Sequence, residues 1–446
     1  MDSQNQVQDS TPSMAGENAS SKPPVFGQRA LQYFDFDPTY RNLNQGSFGS
    51  SPRAVRSKLR EYQDRTESTP DYFIRYTSLD MLNESREAVA KLLRAPPDTV
   101  VLVPNASMGI NTILRNMVWA DDGRDEMLYF STVYGACGKT IDYLVDSGRA
   151  RVAAREIRVT YPLEDDEVLA ALRGAIEDSK KDGKRARLCL FDTMSSLPAV
   201  RLPFEEITKL CRDAGILSVV DGAQGVGMME LDLSALDADF FVTNCHKWLH
   251  VPRSCAVMYV PFRNQAMITS SLPTSHGYVS KSGERFNPLR KGHKSAFVNN
   301  FQFVGTLDSS AYLCVKDAIA WREQTFGGEA RIIEYIQTLA KEGGKKTAEI
   351  LGTEILDNKS GTATKCGAIN VALPLDPEEA SRASDWILDR LMYDYKTFLP
   401  IFFHGGRPWV RISAQVFLEI EDFEWAGRVL LELCERVKRG DHLTSA

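Results

Sequence analysis

The chain has 446 residues, 43% hydrophobic and 25% charged, which is the balance of a soluble globular protein of two or three domains. Its 53 Lys and Arg against 59 Asp and Glu give a net charge of −6, which argues against nucleic acid or an anionic membrane as partner. Eight scattered cysteines without a CxxC pair argue against a disulfide framework or a structural zinc site. No apolar run approaches the roughly 18 residues of a membrane span, so a cytosolic protein is expected.

Residues 1–30 read as a disordered tail; the start, MDSQNQVQDSTPSMAG, has neither the basic opening nor the apolar core of a secretory signal. Asn44-Gln45-Gly46-Ser47-Phe48-Gly49 is a Gly-punctuated loop, and Ser51-Pro52 predicts a helix start, with Val55, Leu59 and Tyr62 on one face. A second helical pattern covers about 80–93. From 100 to 260, apolar runs at 100–103, 127–130, 188–191, 217–220, 240–242 and 256–260 alternate with helical patterns. In one of these, Ile207, Leu210, Cys211 and Ala214 share a face and Gly215 is the stop. The alternation predicts an α/β fold with a mostly parallel central sheet and ligands at the carboxyl ends of its strands. Helical patterns at 332–351 and 376–395 and a late strand at 409–413 predict a smaller α+β domain. The expected division is a large domain over 31–309 and a small one over 310–446.

The run at 217–220 ends at Asp221-Gly222-Ala223-Gln224, and the run at 240–242 leads into Asn244-Cys245-His246-Lys247. An acid and a lysine thus end successive strands and should face one crevice. Pyridoxal phosphate requires such a pair, because its aldehyde forms a Schiff base with Lys and its ring nitrogen must be held protonated by a carboxylate. Taken singly, Asp221 reads as a strand-end cap and Lys247 as a surface lysine; His246 and Gln224 beside them favour the cofactor. Asn105-Ala106-Ser107-Met108-Gly109 precedes a helical pattern, so Ala106 and Ser107 are expected to bind the phosphate at a helix N-terminus, with His246 adding a side-chain contact.

These motifs, together with Val410-Arg411-Ile412-Ser413, resemble those of the class V family of fold-type I pyridoxal-phosphate enzymes over about residues 35–435. The resemblance implies Lys247 as the Schiff-base lysine, Asp221 on the pyridine nitrogen, Gln224 near the phenolic oxygen and Tyr134 stacked over the ring. It also implies a homodimer with shared active sites, in which Gly305 and Thr306 reach the phosphate of the opposite subunit. Arg411 matches the family's late arginine, whose planar guanidinium suits a substrate carboxylate; the alternative is an interdomain salt bridge. Asn44, Ser47, Thr193 and Ser195 are further candidates for contacts with substrate or cofactor.

A desulfurase would carry a nucleophilic Cys shortly before the late arginine, and 402–409 contains none. Leu43–Gly49, Thr132–Cys137 and Asn244–His250 are similar to the fungal hercynylcysteine sulfoxide lyases of ergothioneine biosynthesis. That likeness implies C–S cleavage in a cysteine-conjugate sulfoxide, with Lys247 removing the Cα proton and Tyr134 protonating the departing sulfenate. The first and last stretches also resemble isopenicillin N epimerase, so an epimerase or another class V β-lyase stays open. Outside enzymes, Gly222–Gly227 suggests an NAD-binding regulatory protein, although its spacing is not GxGxxG.

Overall fold

The apolar runs of the first half become strands of one sheet because each is short, rich in Val, Leu and Phe, and bounded by turn residues. In the computed structural model, which describes residues 25–148, 151–283, 285–288 and 294–444, these strands are β1 (Val100–Val103), β2 (Asp125–Phe130), β3 (Ala153–Ile157), β4 (Arg185–Asp192), β5 (Leu217–Asp221), β6 (Phe240–Asn244) and β7 (Ala256–Tyr259). They lie in the order β1-β7-β6-β5-β4-β2-β3. Strands β2 to β6 are parallel, and β7 runs antiparallel to both β6 and β1.

The period of two along a strand decides what faces what. On one face Leu188 and Leu190 of β4, Val219 of β5 and Val242 of β6 pack with Ile110 and Ile113 of the Ala106–Asn116 helix and Ile141 of the Gly135–Asp146 helix. On the other, Cys189, Phe191, Val220 and Phe241 pack with Ile207 and Cys211 of the Phe204–Asp213 helix. Continuing the first set to the strand ends gives Asp192, Asp221 and Asn244. Three polar side chains therefore finish three strands on the same face.

A second sheet, β8 (Ala368–Ala372), β9 (Ile401–His404) and β10 (Arg407–Ser413), has the antiparallel order β8-β10-β9. Ile369 of β8 packs against the Glu329–Leu351 helix, and Gly344 there lets the helix approach closely, since a Cβ would meet Ile369 at 2.5 Å. The N-terminal loop joins this body through Ser413 N–H to Leu43 O at 2.8 Å. Of the segment expected to be a tail, residues 1–24 lie outside the described residues, and Gly27–Tyr33 forms a 3-10 helix with Ala30 buried. The helix expected after Ser51-Pro52 runs Arg53–Ser68, with Pro52 rather than Ser51 as its N-cap. No helix among the described residues is long and apolar enough to cross a membrane.

Arg322 ties the fold to what β5 and β6 carry. It is wholly buried and donates to Trp248 O at 2.8 Å, Gly227 O at 3.0 Å and the carboxylate of Glu329. Those carbonyls belong to the loops that follow Lys247 and Asp221, so one side chain holds both. Breaking a buried charge pair from one side strands the partner. Arg322→Leu is therefore expected to lower stability by about 3 kcal/mol, read as a lower denaturant midpoint at unchanged slope. An unchanged midpoint would show that the loops hold themselves.

Candidate active site

The carboxyl ends of β4, β5 and β6 converge with the start of the Ala106–Asn116 helix. Asn244 Oδ1 accepts the Ala106 N–H at 2.9 Å, and Asn105 Oδ1, the N-cap, accepts from Met108 N–H at 2.8 Å. Among the described residues this leaves the Ser107 N–H without a partner at a helix N-terminus, a donor facing positive dipole potential. His246 comes two residues after Asn244, whose side chain holds the Ala106 N–H. Its Nδ1 is 3.0 Å from Cys255 O, and burial pushes the ring down to about 4, so the ring is neutral, Nδ1–H donates and Nε2 is an acceptor.

Lys247 is half-buried, and Nζ makes no hydrogen bond or ion pair among the described residues. Burial pushes it down to about 8, against the attraction of Asp221 and Asp192 and with the repulsion of Arg411. Asp221, across the register from Asp192, accepts Ala223 N–H on Oδ1 at 3.0 Å and the Cys137 thiol on Oδ2 at 3.3 Å. Both acids are buried, and burial raises both. Asp192 Oδ2 and the neighbouring Thr193 Oγ1 are buried without any partner. Such orphans are rare unless a ligand satisfies them.

Arg411, on β10, brings the C-terminal body into the same site. Nη1 donates to Ser196 O at 2.9 Å, and Nη2 to Asn44 Oδ1 at 2.7 Å and Ser47 Oγ at 2.8 Å. Nε has no partner, and burial alone pushes the group down to about 10. No carboxylate pairs with this buried cation among the described residues, so the interdomain salt bridge weighed as the alternative is not what holds it. Gly49, at φ +67°, allows the N-terminal loop to press on the lysine loop: a Cβ there would lie 1.7 Å from His246 O. Arg253 closes the same contact by donating to Phe48 O and Gly49 O.

The other expected residues sit variously. Gln224 is buried, with Oε1 accepting Trp248 Nε1–H at 2.7 Å and Nε2 donating to Gly46 O at 3.0 Å, so its amide is largely committed to the loops. Ser195 Oγ is spent on Pro198 O at 2.7 Å. Tyr134 is 47% exposed and caps the Gly135–Asp146 helix, accepting Cys137 N–H and Gly138 N–H on its carbonyl. Gly305 and Thr306 are exposed, outside any helix or strand. Sequence reasoning missed Asp192, Cys137, Asn244 and Ser196. Asp192 had a visible signal, an acid ending the 188–191 run as Asp221 ends the next. The Gly222–Gly227 turn opens no helix, so the arrangement a dinucleotide needs is absent there.

A lysine pushed toward neutrality, a carboxylate with fixed donors, an unpartnered acid and hydroxyl, and a free helix N–H match the demands of an aldehyde, a pyridine nitrogen, a phenolic oxygen and a phosphate. The comparisons with known proteins agree with this chemistry. The model of the aminotransferase class-V family matches residues 50–373. An L-cysteine desulfhydrase-like protein of Epichloe uncinata is 38% identical, over 94% of this chain and 98% of its own. A hercynylcysteine sulfoxide lyase of Schizosaccharomyces pombe is 30% identical, over 92% and 98%. The fold is similar to that of the cystine C-S lyase C-DES in complex with cysteine persulfide, with a TM-score of 0.71 at 18% identity over 91% of this chain and 99% of that one. The chain belongs to the class-V aminotransferase family, whose cofactor is pyridoxal 5'-phosphate.

Proposed function

We propose that this protein is a C–S lyase that cleaves a cysteine-conjugate sulfoxide, with hercynylcysteine S-oxide as substrate, to a sulfenic acid, pyruvate and ammonia. The observation that carries the amino-acid part is Arg411, a buried guanidinium with one edge held by Asn44, Ser47 and Ser196 and with Nε unpartnered. A substrate α-carboxylate supplies the missing counter-charge. The C–S part rests on the relatives' names and on the sulfur chemistry the chain lacks: all eight cysteines are buried, and none lies in 402–409, so no accessible thiol is offered as a persulfide carrier.

Bound pyridoxal phosphate supplies the electron sink that makes a Cα proton removable. Lys247 Nζ, poised near neutrality, takes that proton, and Asp221 holds a positive charge opposite its carboxylate. The Cβ–S bond then breaks with its electron pair on the sulfur side, where Tyr134 Oη gives a proton. Water hydrolyses the released aminoacrylate to pyruvate and ammonia. Ser107 N–H and the helix N-terminus hold the phosphate. His246 meets that anion only as the protonated ring, because Nδ1–H is already spent on Cys255 O. Exposed Gly305 and Thr306 are free to face a second copy of the chain, as a homodimer with shared sites requires. A cytosolic location goes with eight free cysteines.

The test is pyruvate release from hercynylcysteine S-oxide beside cysteine and other S-conjugates. A kcat/KM for the sulfoxide well above that for cysteine supports the reading, whereas epimerisation without pyruvate rejects it. In the same assay Arg411→Lys, which keeps the charge but loses the planar fork, is expected to lower kcat/KM about ten- to a hundredfold through KM, with the cofactor's visible colour unchanged. Equal kcat/KM would return Arg411 to a structural role. Tyr134→Phe is expected to slow pyruvate formation by about 10²-fold while Cα exchange persists. Unchanged pyruvate formation would leave the ring only a stacking role.

A further inference from the structure

Asp192 and Asp221 are directly paired in the β4–β5 register, on one face of the sheet, and both are buried. Two carboxylates so placed cannot both be charged at low cost unless their surroundings differ, and it is the surroundings that assign their roles. They do differ. Asp221 receives Ala223 N–H and the Cys137 thiol, whereas Asp192 Oδ2 is buried with no partner. The titratable groups around the pair are Lys247 and Cys137, which act on both acids, and Tyr161, which acts on Asp192; of these only Cys137 is hydrogen-bonded to either acid, and it bonds to Asp221.

The placement of Cys137 follows from the chain. Tyr134 caps the Gly135–Asp146 helix, and the residue three positions on lies on the helix face turned to the sheet, where Cys137 and Ile141 are buried one turn apart. Burial raises the thiol, so it stays protonated and acts as a donor, not as a nucleophile.

We propose that Cys137 is a positioning residue: by donating to Asp221 and not to Asp192, its thiol makes Asp221 the ionised member of the pair and aims it at the cofactor's ring nitrogen. Asp192 then carries the proton, as a neutral acid whose free oxygen can donate to an acceptor in the pocket. This depends on the cofactor but not on which substrate is cleaved, so its test needs no substrate and can fail independently of the lyase reading.

The experiment compares Cys137→Ala and Cys137→Ser with the unaltered protein in the cofactor-loaded and cofactor-free forms. Loss of the donor is expected to weaken pyridoxal-phosphate binding to the cofactor-free protein about three- to tenfold, as befits a weak donor on a charged acceptor. With Asp221 less able to keep the ring nitrogen positive, the pH midpoint of the cofactor's visible band should rise by about 0.5 unit or more in Cys137→Ala. Serine keeps a donor and should restore both, while the thermal midpoint of the cofactor-free protein moves little in either variant. A midpoint in Cys137→Ala equal to that of the unaltered protein overturns the proposal. So does a Ser variant that behaves like Ala, since packing alone would then explain the position. If the Ala variant does not fold, Cys137→Val against Cys137→Ser asks the same question, a filler without a donor against a donor.

Discussion

Lys247→Ala is expected to lower turnover by about 10⁴-fold and to abolish the visible absorbance that a lysine-bound cofactor gives. The side chain is asked for two things, a covalent hold and a base, and both need an unprotonated amine. Its surroundings provide one, because burial pushes Nζ down to about 8 even though Asp221 and Asp192 pull the other way and Arg411 opposes the charge. The sign follows directly. Below that value most of the amine is protonated and inert, and the competent fraction grows about tenfold per pH unit until it levels above it. Cofactor capture by the cofactor-free protein should therefore quicken with pH up to about 8 and then flatten. A rate that is flat from pH 6 to 9, or an alanine variant that keeps colour and turnover, would remove Lys247 from the centre of the site.

How far the sequence exposed this site depends on whether a residue's role is local. Lys247, Asp221 and the Asn105 cap could be read because each sits at the junction of an apolar run and a turn, and a strand end is a local property. The central sheet was legible for the same reason, in that six of its runs are plain apolar stretches. Strand β3 was not, since Ala153–Ile157 is an edge strand in which Arg155 and Glu156 break the apolar run, and the partners of Arg155, Glu126 and Asp182, come from elsewhere in the chain. Strand β9, Ile401–His404, is not among the predicted strands: its four residues run straight into two glycines, and only the pairing with β10 makes them a strand.

Tertiary choice also governs the hydrogen bonds that remained hidden. Gln224 matches a motif, yet its amide is claimed by Trp248 and by Gly46, and the second partner comes from a loop 178 positions away. Arg411 was legible as a candidate carboxylate binder, but its dependence on Asn44, Ser47 and Ser196 required the N-terminal loop to lie against β10. Asn44 and Ser47 were candidates for touching substrate; they hold the arginine that is proposed to do so. A sequence names side chains with suitable chemistry, and the fold decides which of them are still unspent.

The acid is where that distinction has its largest measurable consequence after the lysine. Asp221→Asn keeps the shape, with its one oxygen for the Ala223 N–H and its amide nitrogen donating to the Cys137 sulfur, and it removes the charge. A fixed carboxylate would keep the ring nitrogen protonated, so that the ring could take up the electron pair left at Cα; preorganised electrostatics of this kind commonly contribute about 10²- to 10³-fold, so Cα hydrogen–deuterium exchange in the substrate should slow by about 10³-fold. Stability should respond in the opposite sense. Burial raises Asp221 above the ordinary carboxylate range, which means the folded chain prefers the protonated form and loses stability as pH rises through that raised value. A neutral amide escapes this cost at neutral pH, so the cofactor-free Asn variant is expected to melt no lower than the unaltered protein. Together, slower exchange and undiminished stability identify a group kept for chemistry at the fold's expense. Unchanged exchange would transfer the role to Asp192, and a lower melting point would mean that the carboxylate is structural.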